Sequence, residues 1–493
     1  MLINPINAID FYKADHRNQY PVGTSEVYAN FTPRSNRLSG IPSSEYDNKI
    51  VVFGPQYMVL SFLVEDWKNA FFDIDKDIIV SEYKRRMDNA LGKDAIDTSH
   101  IEALHDLGYL PIEVKALPEG VRVPAGVPVL TIVNTLPAFF WLTNYLESII
   151  SCFLWHPMTT ATRAYEYKRL LTKYAELTGA DKDFIPFQAH DFSFRGQTSW
   201  QSAAVGSMGH LTSFAGTDTV AAIDTLEEYY HADSSKEMVG VSVPATEHSV
   251  MCMGEKESEI DTFMRLISEV YPTGIVSIVS DTWDFWKVIT EYLVTLKDVI
   301  MQRKGKVVIR PDSGDPVDII CGDLSAIVDS PEYKGAIECL WDVFGGKTND
   351  AGYKELDEHI GLIYGDSITL ERAELILSRL KAKGFASTNI VLGIGSYTYQ
   401  HVTRDSHGFA MKATSGVVNG ERRDIFKDPK TDNGTKKSAK GLLRVELVDG
   451  EYTLFDQQTE EEENQGELQT IFKNGSATNE ETLSKIRERL ENK

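Results

Sequence analysis

The stretch Lys306-Val307-Val308-Ile309-Arg310-Pro311-Asp312-Ser313-Gly314-Asp315-Pro316 decides how the whole chain is read. Its β-branched run has the character of a buried parallel strand, yet it stops abruptly at an arginine, a proline, an aspartate and a Ser-Gly turn. In barrels and open α/β sheets ligands collect at the carboxyl ends of strands, so charge at such an end is where chemistry is expected. A single charged strand end is also what a surface turn with a structural Arg–Asp pair looks like. The discriminating question is whether other strands end the same way.

They do. Residues 187–191 run into His190-Asp191 and on to Phe192 and Arg195, and residues 211–214 into Gly216-Thr217-Asp218. Residues 239–243 lead to Glu247-His248, and residues 275–279, which include Ser277, lead to Ser280-Asp281. Residues 362–364 end at Gly365-Asp366, residues 390–392 at Gly393-Ile394-Gly395-Ser396, and residues 408–414 form a last short strand. From Asp191 to Asp281 the ends recur about every 30 residues, the length of a strand–helix unit. Eight candidate strands with helices between them predict an α/β fold, an irregular or incompletely closed (β/α) barrel over residues 185–440; a doubly wound open sheet is the alternative, since spacing does not show closure.

Before the barrel, residues 1–184 read as an α+β domain. Residues 25–31 alternate as a strand does and lead to Arg34, and residues 111–117 and 127–133 form a small antiparallel sheet. Helices are predicted over 82–91, 139–155 and 162–177. After the barrel, residues 441–493 are expected to pack back on the first domain. Asp449-Gly450 between two alternating runs signals a hairpin, residues 460–463 read as a solvated loop, and 480–490 as a terminal helix.

Bulk properties narrow the function. The 493 residues hold 50 basic and 73 acidic side chains, a net charge of −23, which argues against a general nucleic-acid or anionic-membrane surface. A local basic pocket for a phosphorylated small molecule is compatible with that charge. Cys152, Cys252, Cys321 and Cys339 form no Cys-x-x-Cys pair, which suits a reducing cytoplasm and gives no zinc site or disulfide framework. No basic start with an apolar core opens the chain, and the apolar stretch around residues 137–142 is too short to span a bilayer. A cytoplasmic protein without nucleic-acid or membrane partners is expected.

Asp191, Arg195, Asp218, His248, Asp281, Arg310, Asp312 and Asp366 would then converge on one barrel mouth, a set that packing alone does not explain. Ordered blocks along nearly the whole chain resemble those of the nicotinamide phosphoribosyltransferases, of the type II phosphoribosyltransferase kind. Among them are Asp10-Phe-Tyr-Lys, His190-Asp-Phe-Ser-Phe-Arg-Gly, Gly216-Thr-Asp-Thr, Val243-Pro-Ala-Thr-Glu-His, Ile309-Arg-Pro-Asp-Ser-Gly and Thr403-Arg-Asp. The resemblance implies a homodimer with shared active sites that makes nicotinamide mononucleotide and pyrophosphate from nicotinamide and phosphoribosyl pyrophosphate. It implies Mg²⁺ as cofactor and ATP as co-substrate.

Carried over residue by residue, Phe192 would cover one face of the pyridine and Tyr12, brought by the partner subunit, the other, with Asp10 also among the nicotinamide-binding residues. Asp218 would accept from the carboxamide, Arg310 would donate to it, and Arg195 would lie alongside. An aspartate there disfavours nicotinate, because two carboxylates in a dry pocket repel. Asp281 and Asp312 would orient the ribose or magnesium-bound water, with no direct protein–metal cage. Ser277, Gly365, Asp366, Gly395, Ser396, Arg404 and Lys412 would serve the ribose and phosphates, with Arg34, Lys427 and Lys436 from the facing subunit. His248 would be the nucleophile that ATP phosphorylates, its ring held by Glu247 or Asp281. Two departures stand out: Ser396-Tyr397 where the family is richer in glycine, and Ala410 where it often has serine. The rival readings are nicotinate phosphoribosyltransferase and, from another class, a non-catalytic dimeric binding protein.

Overall fold

The computed structural model describes residues 4–42, 46–365, 367–426 and 439–492. Asp366, Lys427 and Lys436 therefore lie outside the described residues.

Six short strands form one parallel sheet in the order Gly216–Thr217, Ala189–Asp191, Ile390–Ile394, Ile360–Tyr364, Val307–Arg310, Val276–Val279. Its two edges are joined by residues 241–246. On one side the Val241 N–H donates to the Ala215 carbonyl (2.8 Å) and the Thr217 N–H to the Val241 carbonyl (3.0 Å). On the other, the Ser277 N–H donates to the Pro244 carbonyl (2.9 Å) and the Thr246 N–H to the Ser277 carbonyl (3.0 Å). The result is an irregular barrel of seven segments. Pro244 has no N–H to give, so this seventh segment bridges its neighbours without becoming a regular strand.

Buried aliphatic residues such as Val276, Ile278, Val307, Ile309, Leu362, Leu392 and Ile394 fill this unit, and helices such as Leu370–Ala382 and Ala336–Phe344 cover it. Fully apolar strand bodies with charged ends are what a sheet buried on both faces requires.

A second sheet, of seven strands, has Thr24–Thr32 flanked by Ala410–Val418 and Leu130–Asn134, followed by Ile112–Ala116 and Gln469–Lys473. Here the eighth predicted barrel strand is corrected. Residues 410–418 pair antiparallel with Thr24–Thr32, from Thr24↔Val418 to Thr32↔Ala410, and never enter the barrel. They are followed on the sheet's edge by Glu421–Asp424. The expected boundary at residue 440 therefore falls inside the first unit's sheet.

Other local readings shift too. The predicted strand at 211–214 lies at the end of the helix Trp200–Leu211, capped by Ser199, and the strand is Gly216–Thr217. The two helices expected over 139–155 and 162–177 are largely one, Glu147–Thr178, which carries Pro157 in its interior. Residues 460–463 form a helical turn rather than a loop, closed by a Thr459/Glu462 capping box. Its Glu463 is buried against Lys115 (2.6 Å), which ties the C-terminal segment to the first sheet. The hairpin turn at Asp449-Gly450 stands between Leu442–Val448 and Glu451–Gln458, with φ of +51° and +83°, as a two-residue turn of this sequence demands. Among the described residues no helix is long and apolar enough to cross a membrane.

Candidate active site

The carboxyl ends of the barrel strands hold a compact set of ionisable groups. Arg310 ends its strand with Nη2 donating to the Thr246 carbonyl (2.7 Å) and Nε 3.3 Å from Asp312 Oδ2. The Asp312 N–H donates to Asp281 Oδ2 (3.0 Å), so the two aspartates are locked edge to edge. Burial pushes the Asp312 carboxyl upward and Asp281 adds to the rise; Arg310 and His248 oppose it, and the net direction is up. Asp312 Oδ1, Asp281 Oδ1, Arg310 Nε and Ser277 Oγ are buried with no hydrogen-bond partner among the described residues. Four such atoms at the mouth of one barrel are donors and acceptors prepared for something other than protein.

Close approach here depends on glycine. A Cβ on Gly365 would stand 2.4 Å from Asp312 Oδ1, and one on Gly393 would stand 2.7 Å from the Gly365 Cα and 2.9 Å from Phe192 Cδ2. Phe192 is anchored by its N–H to the Ile394 carbonyl (2.9 Å), which presents the ring at the end of the last barrel strand.

Asp218 lies across the mouth. Its Oδ1 accepts from Ser242 Oγ (2.6 Å) and is 2.8 Å from His190 Nε2. Partial burial pushes its carboxyl up, but the His190 and Ser242 hydrogen bonds and the Arg310 charge outweigh it, so the group is held below the ordinary carboxylate range. His248 opens a short helix with its side chain half exposed; Nδ1 is 3.2 Å from Thr282 Oγ1 and Nε2 is 3.8 Å from Asp281 Oδ1. Glu247 instead accepts from Ser249, so of the two acids expected to hold the histidine ring only Asp281 faces it.

One expectation for the mouth is revised. Asp191 is fully buried and accepts from Ser207, Thr217 (2.8 Å) and Thr219 (3.1 Å) as well as the Ser193 N–H, so it ties strand ends together rather than facing a ligand. Arg195 is exposed on the turn Phe194–Gly196. That turn touches the other Gly-rich turn: a Cβ on Gly196 would lie 2.0 Å from Ser396 Oγ. Gly395 and Ser396 begin the short helix Ser396–Tyr399 beside it.

The remaining sequence-predicted residues collect elsewhere, along the first sheet. Arg34 follows Thr24–Thr32 and donates from Nε to the Gly408 carbonyl (2.9 Å). Lys412 projects from the neighbouring strand, and its ammonium is pushed down by burial, with Arg34, Lys13 and Arg404 adding to the fall and Glu147 opposing it. Arg404 and Asp10 both act on Cys152, which puts them on the same side. Tyr12 is largely exposed beside His16. These cations crowd one another, an arrangement suited to a polyanion.

His190, Ser242 and Thr246 carry polar contacts in the mouth that the sequence reading assigned to no role. Strand alternation was the available signal: with Asp191 turned inward, His190 must turn the other way. Among the described residues no group of three or more His, Cys, Asp or Glu side chains is placed to hold a metal ion.

The chain is similar to known proteins along nearly its whole length. The model of the nicotinate phosphoribosyltransferase family matches residues 187–476, and that of the nicotinamide phosphoribosyltransferase N-terminal domain matches residues 4–113. The chain is 60% identical over 494 aligned positions to the nicotinamide phosphoribosyltransferase of Acinetobacter baylyi, covering 99% of this chain and 97% of that one. It is 33% identical to the protein of the same name from Xanthomonas campestris, covering 97% and 96%. Among solved structures, a nicotinate-nucleotide pyrophosphorylase from Pyrococcus furiosus superposes with a TM-score of 0.57 at 14% identity, over 99% of this chain and 95% of that one. Human nicotinic acid phosphoribosyltransferase superposes with a TM-score of 0.54 at 14% identity, over 98% and 92%, a likeness of fold.

Proposed function

The chain belongs to the nicotinate phosphoribosyltransferase family, and we propose from that premise that it transfers the phosphoribosyl group of phosphoribosyl pyrophosphate to nicotinamide. The products are nicotinamide mononucleotide and pyrophosphate, a step of NAD salvage.

The observation that carries this choice of base is Asp218: its carboxyl is held below the ordinary range and therefore anionic, across the mouth from Arg310. A carboxamide offers an N–H to the aspartate and a carbonyl to the arginine. A carboxylate would meet repulsion at one of those two points, which disfavours nicotinate. Phe192 offers the flat apolar wall a pyridine needs, worth about 0.5–1.5 kcal/mol beyond burial.

The ring nitrogen of nicotinamide carries no proton, so its attack on the ribose C1 needs no general base. Holding ring and ribose in line, and stabilising charge on the departing pyrophosphate, are the tasks left to the protein. Asp281 and Asp312 support the first as acceptors for ribose hydroxyls. Their buried, unpartnered Oδ1 atoms are also hard oxygen acceptors that would hold water bound to Mg²⁺. Bound there with the substrate phosphates, that ion would neutralise charge on the leaving group.

ATP coupling is assigned to His248. Its imidazole is half exposed at the mouth, and Asp281 flanks Nε2 while Thr282 flanks Nδ1, so one nitrogen can carry the proton while the other attacks a phosphate. A homodimer with shared sites is supported by the division of the predicted residues between the barrel mouth and the cationic face of the first sheet. Arg34, Arg404, Lys412 and Tyr12 would complete a partner's barrel mouth.

The test is a product assay that offers nicotinamide and nicotinate together, with and without ATP. The reading expects nicotinamide mononucleotide as the main product and more of it with ATP. Consumption of nicotinate alone would reject the pocket assignment, and full ATP stimulation of His248→Ala would reject the phosphohistidine.

A further inference from the structure

Both side chains that hold Asp218 do so through the same oxygen. Oδ1 takes His190 Nε2 at 2.8 Å and Ser242 Oγ at 2.6 Å, while Oδ2 takes no hydrogen bond among the described residues. An ionised carboxylate only accepts, so the His190–Asp218 contact needs a proton on Nε2 of His190. The imidazole is itself fixed. Its ring centroid lies 4.6 Å from that of Phe192, and Gly216 leaves the backbone open beneath it, where a Cβ would come within 2.7 Å of Nδ1. The strand below is held by the buried Asp191 and its hydroxyl partners. Asp218, by contrast, has a side chain 44% exposed, and His190 and Ser242 are its side-chain hydrogen-bond partners among the described residues.

We propose that His190 is a positioning residue for substrate choice: with Ser242 it pins Oδ1 of Asp218, so that Oδ2 alone is turned to the carboxamide N–H. This rests on the reading of Asp218 given above and extends it to the residue that orients it. A carboxylate free to rotate would still repel nicotinate but would lose much of its hold on nicotinamide, because a charge-assisted hydrogen bond is worth most when its acceptor is already in place.

Steady-state kinetics on the full chain test this. His190→Ala is expected to raise KM for nicotinamide about tenfold, with kcat changed by less than about threefold and KM for phosphoribosyl pyrophosphate unmoved. The preference for nicotinamide over nicotinate should narrow by a similar factor. His190→Gln, whose amide N–H reaches towards the position of Nε2, should bring KM back to within about threefold of wild type. Ser242→Ala should move KM in the same direction, and it carries the test if melting curves show His190→Ala unfolded. An unchanged KM in His190→Ala overturns the proposal. So does a His190→Gln variant as impaired as His190→Ala, which would make the imidazole a packing partner of Phe192 only. A wild-type protein that consumes no nicotinamide overturns the parent reading and this one with it, whereas altered variants of an active enzyme bear on His190 alone.

Discussion

The barrel mouth and the cationic face of the first sheet hold their charges in opposite ways. At the mouth, Asp281, Asp312 and Arg310 are locked to backbone and to one another, with polar atoms buried and unpartnered. On the sheet, Arg34, Arg404 and Lys412 stand at the surface and repel one another, and Glu147, ion-paired to Lys13, offsets that repulsion at Lys412 only in part. The difference teaches that precision and charge are supplied separately. In the proposed reaction the barrel mouth would fix atoms for a ring and a ribose, and the cationic face would supply charge to phosphates, whose charge is forgiving of geometry.

The largest expected effect falls on the mouth. Asp312→Asn keeps the shape of the side chain but removes its charge, and kcat/KM should fall about 10²–10³-fold. Because the folded protein holds the Asp312 carboxyl above its ordinary range, its ionised form is a burden to the fold. The stability linked to it is present below the unfolded pKa and is lost as pH rises through the folded one. Asp312→Asn should therefore melt no lower than wild type at pH 7, a gain in stability with a loss of function. A variant that lost both together would make the aspartate a structural residue.

A smaller effect is expected on the sheet. Lys412→Ala should raise KM for phosphoribosyl pyrophosphate about tenfold and leave KM for nicotinamide near its wild-type value. Mixing this variant with Asp312→Asn tests the separation itself. With phosphoribosyl pyrophosphate well below KM, where Lys412→Ala alone has little activity, random pairing restores about a quarter of the wild-type activity if each site takes its mouth from one copy and its cations from another. Activity no greater than the average of the two parents would mean that one copy holds a whole site.

The smallest effect concerns stability beneath the sheet's cations. His407, whose carbonyl receives the Arg34 N–H, is fully buried with Nδ1 2.6 Å from Asn36 Oδ1, and burial, with Arg163 adding to it, holds its pKa down to about 3. A base depressed in the folded state contributes its full stability above about pH 6.5 and loses it as pH falls towards 3. His407→Gln should remove that dependence, lowering the slope of unfolding free energy against pH near pH 5 by about 1.4 kcal/mol per unit. Urea titrations at several pH values would show it, and an unchanged slope would mean that His407 charges in the folded state.

Much of the candidate site was legible before any coordinates. Asp218, His248, Asp281, Arg310 and Asp312 all follow short apolar runs, and strand ends are where a barrel exposes chemistry. His190 and Asp191 show where that rule stops. Adjacent residues on one strand point to opposite faces, and only the observed burial of Asp191 says which of the two meets the mouth. Arg195 and Ser396 are likewise far apart in the chain and joined only by the packing of Gly196 on Ser396.

By itself the sequence determined the α/β character, the family likeness and the charged strand ends, because each is written in local runs and blocks that need no partner to be recognised. The tertiary structure alone decided which extended segments share a sheet. Residues 410–418 have the alternation of a strand in either place, and long-range pairing with Thr24–Thr32 takes them out of the barrel. Residues 241–246 close the barrel through hydrogen bonds to two edges. A strand's own residues encode its faces, but its neighbours are set by backbone pairing across distant parts of the chain, and backbone groups are the same at every residue but proline.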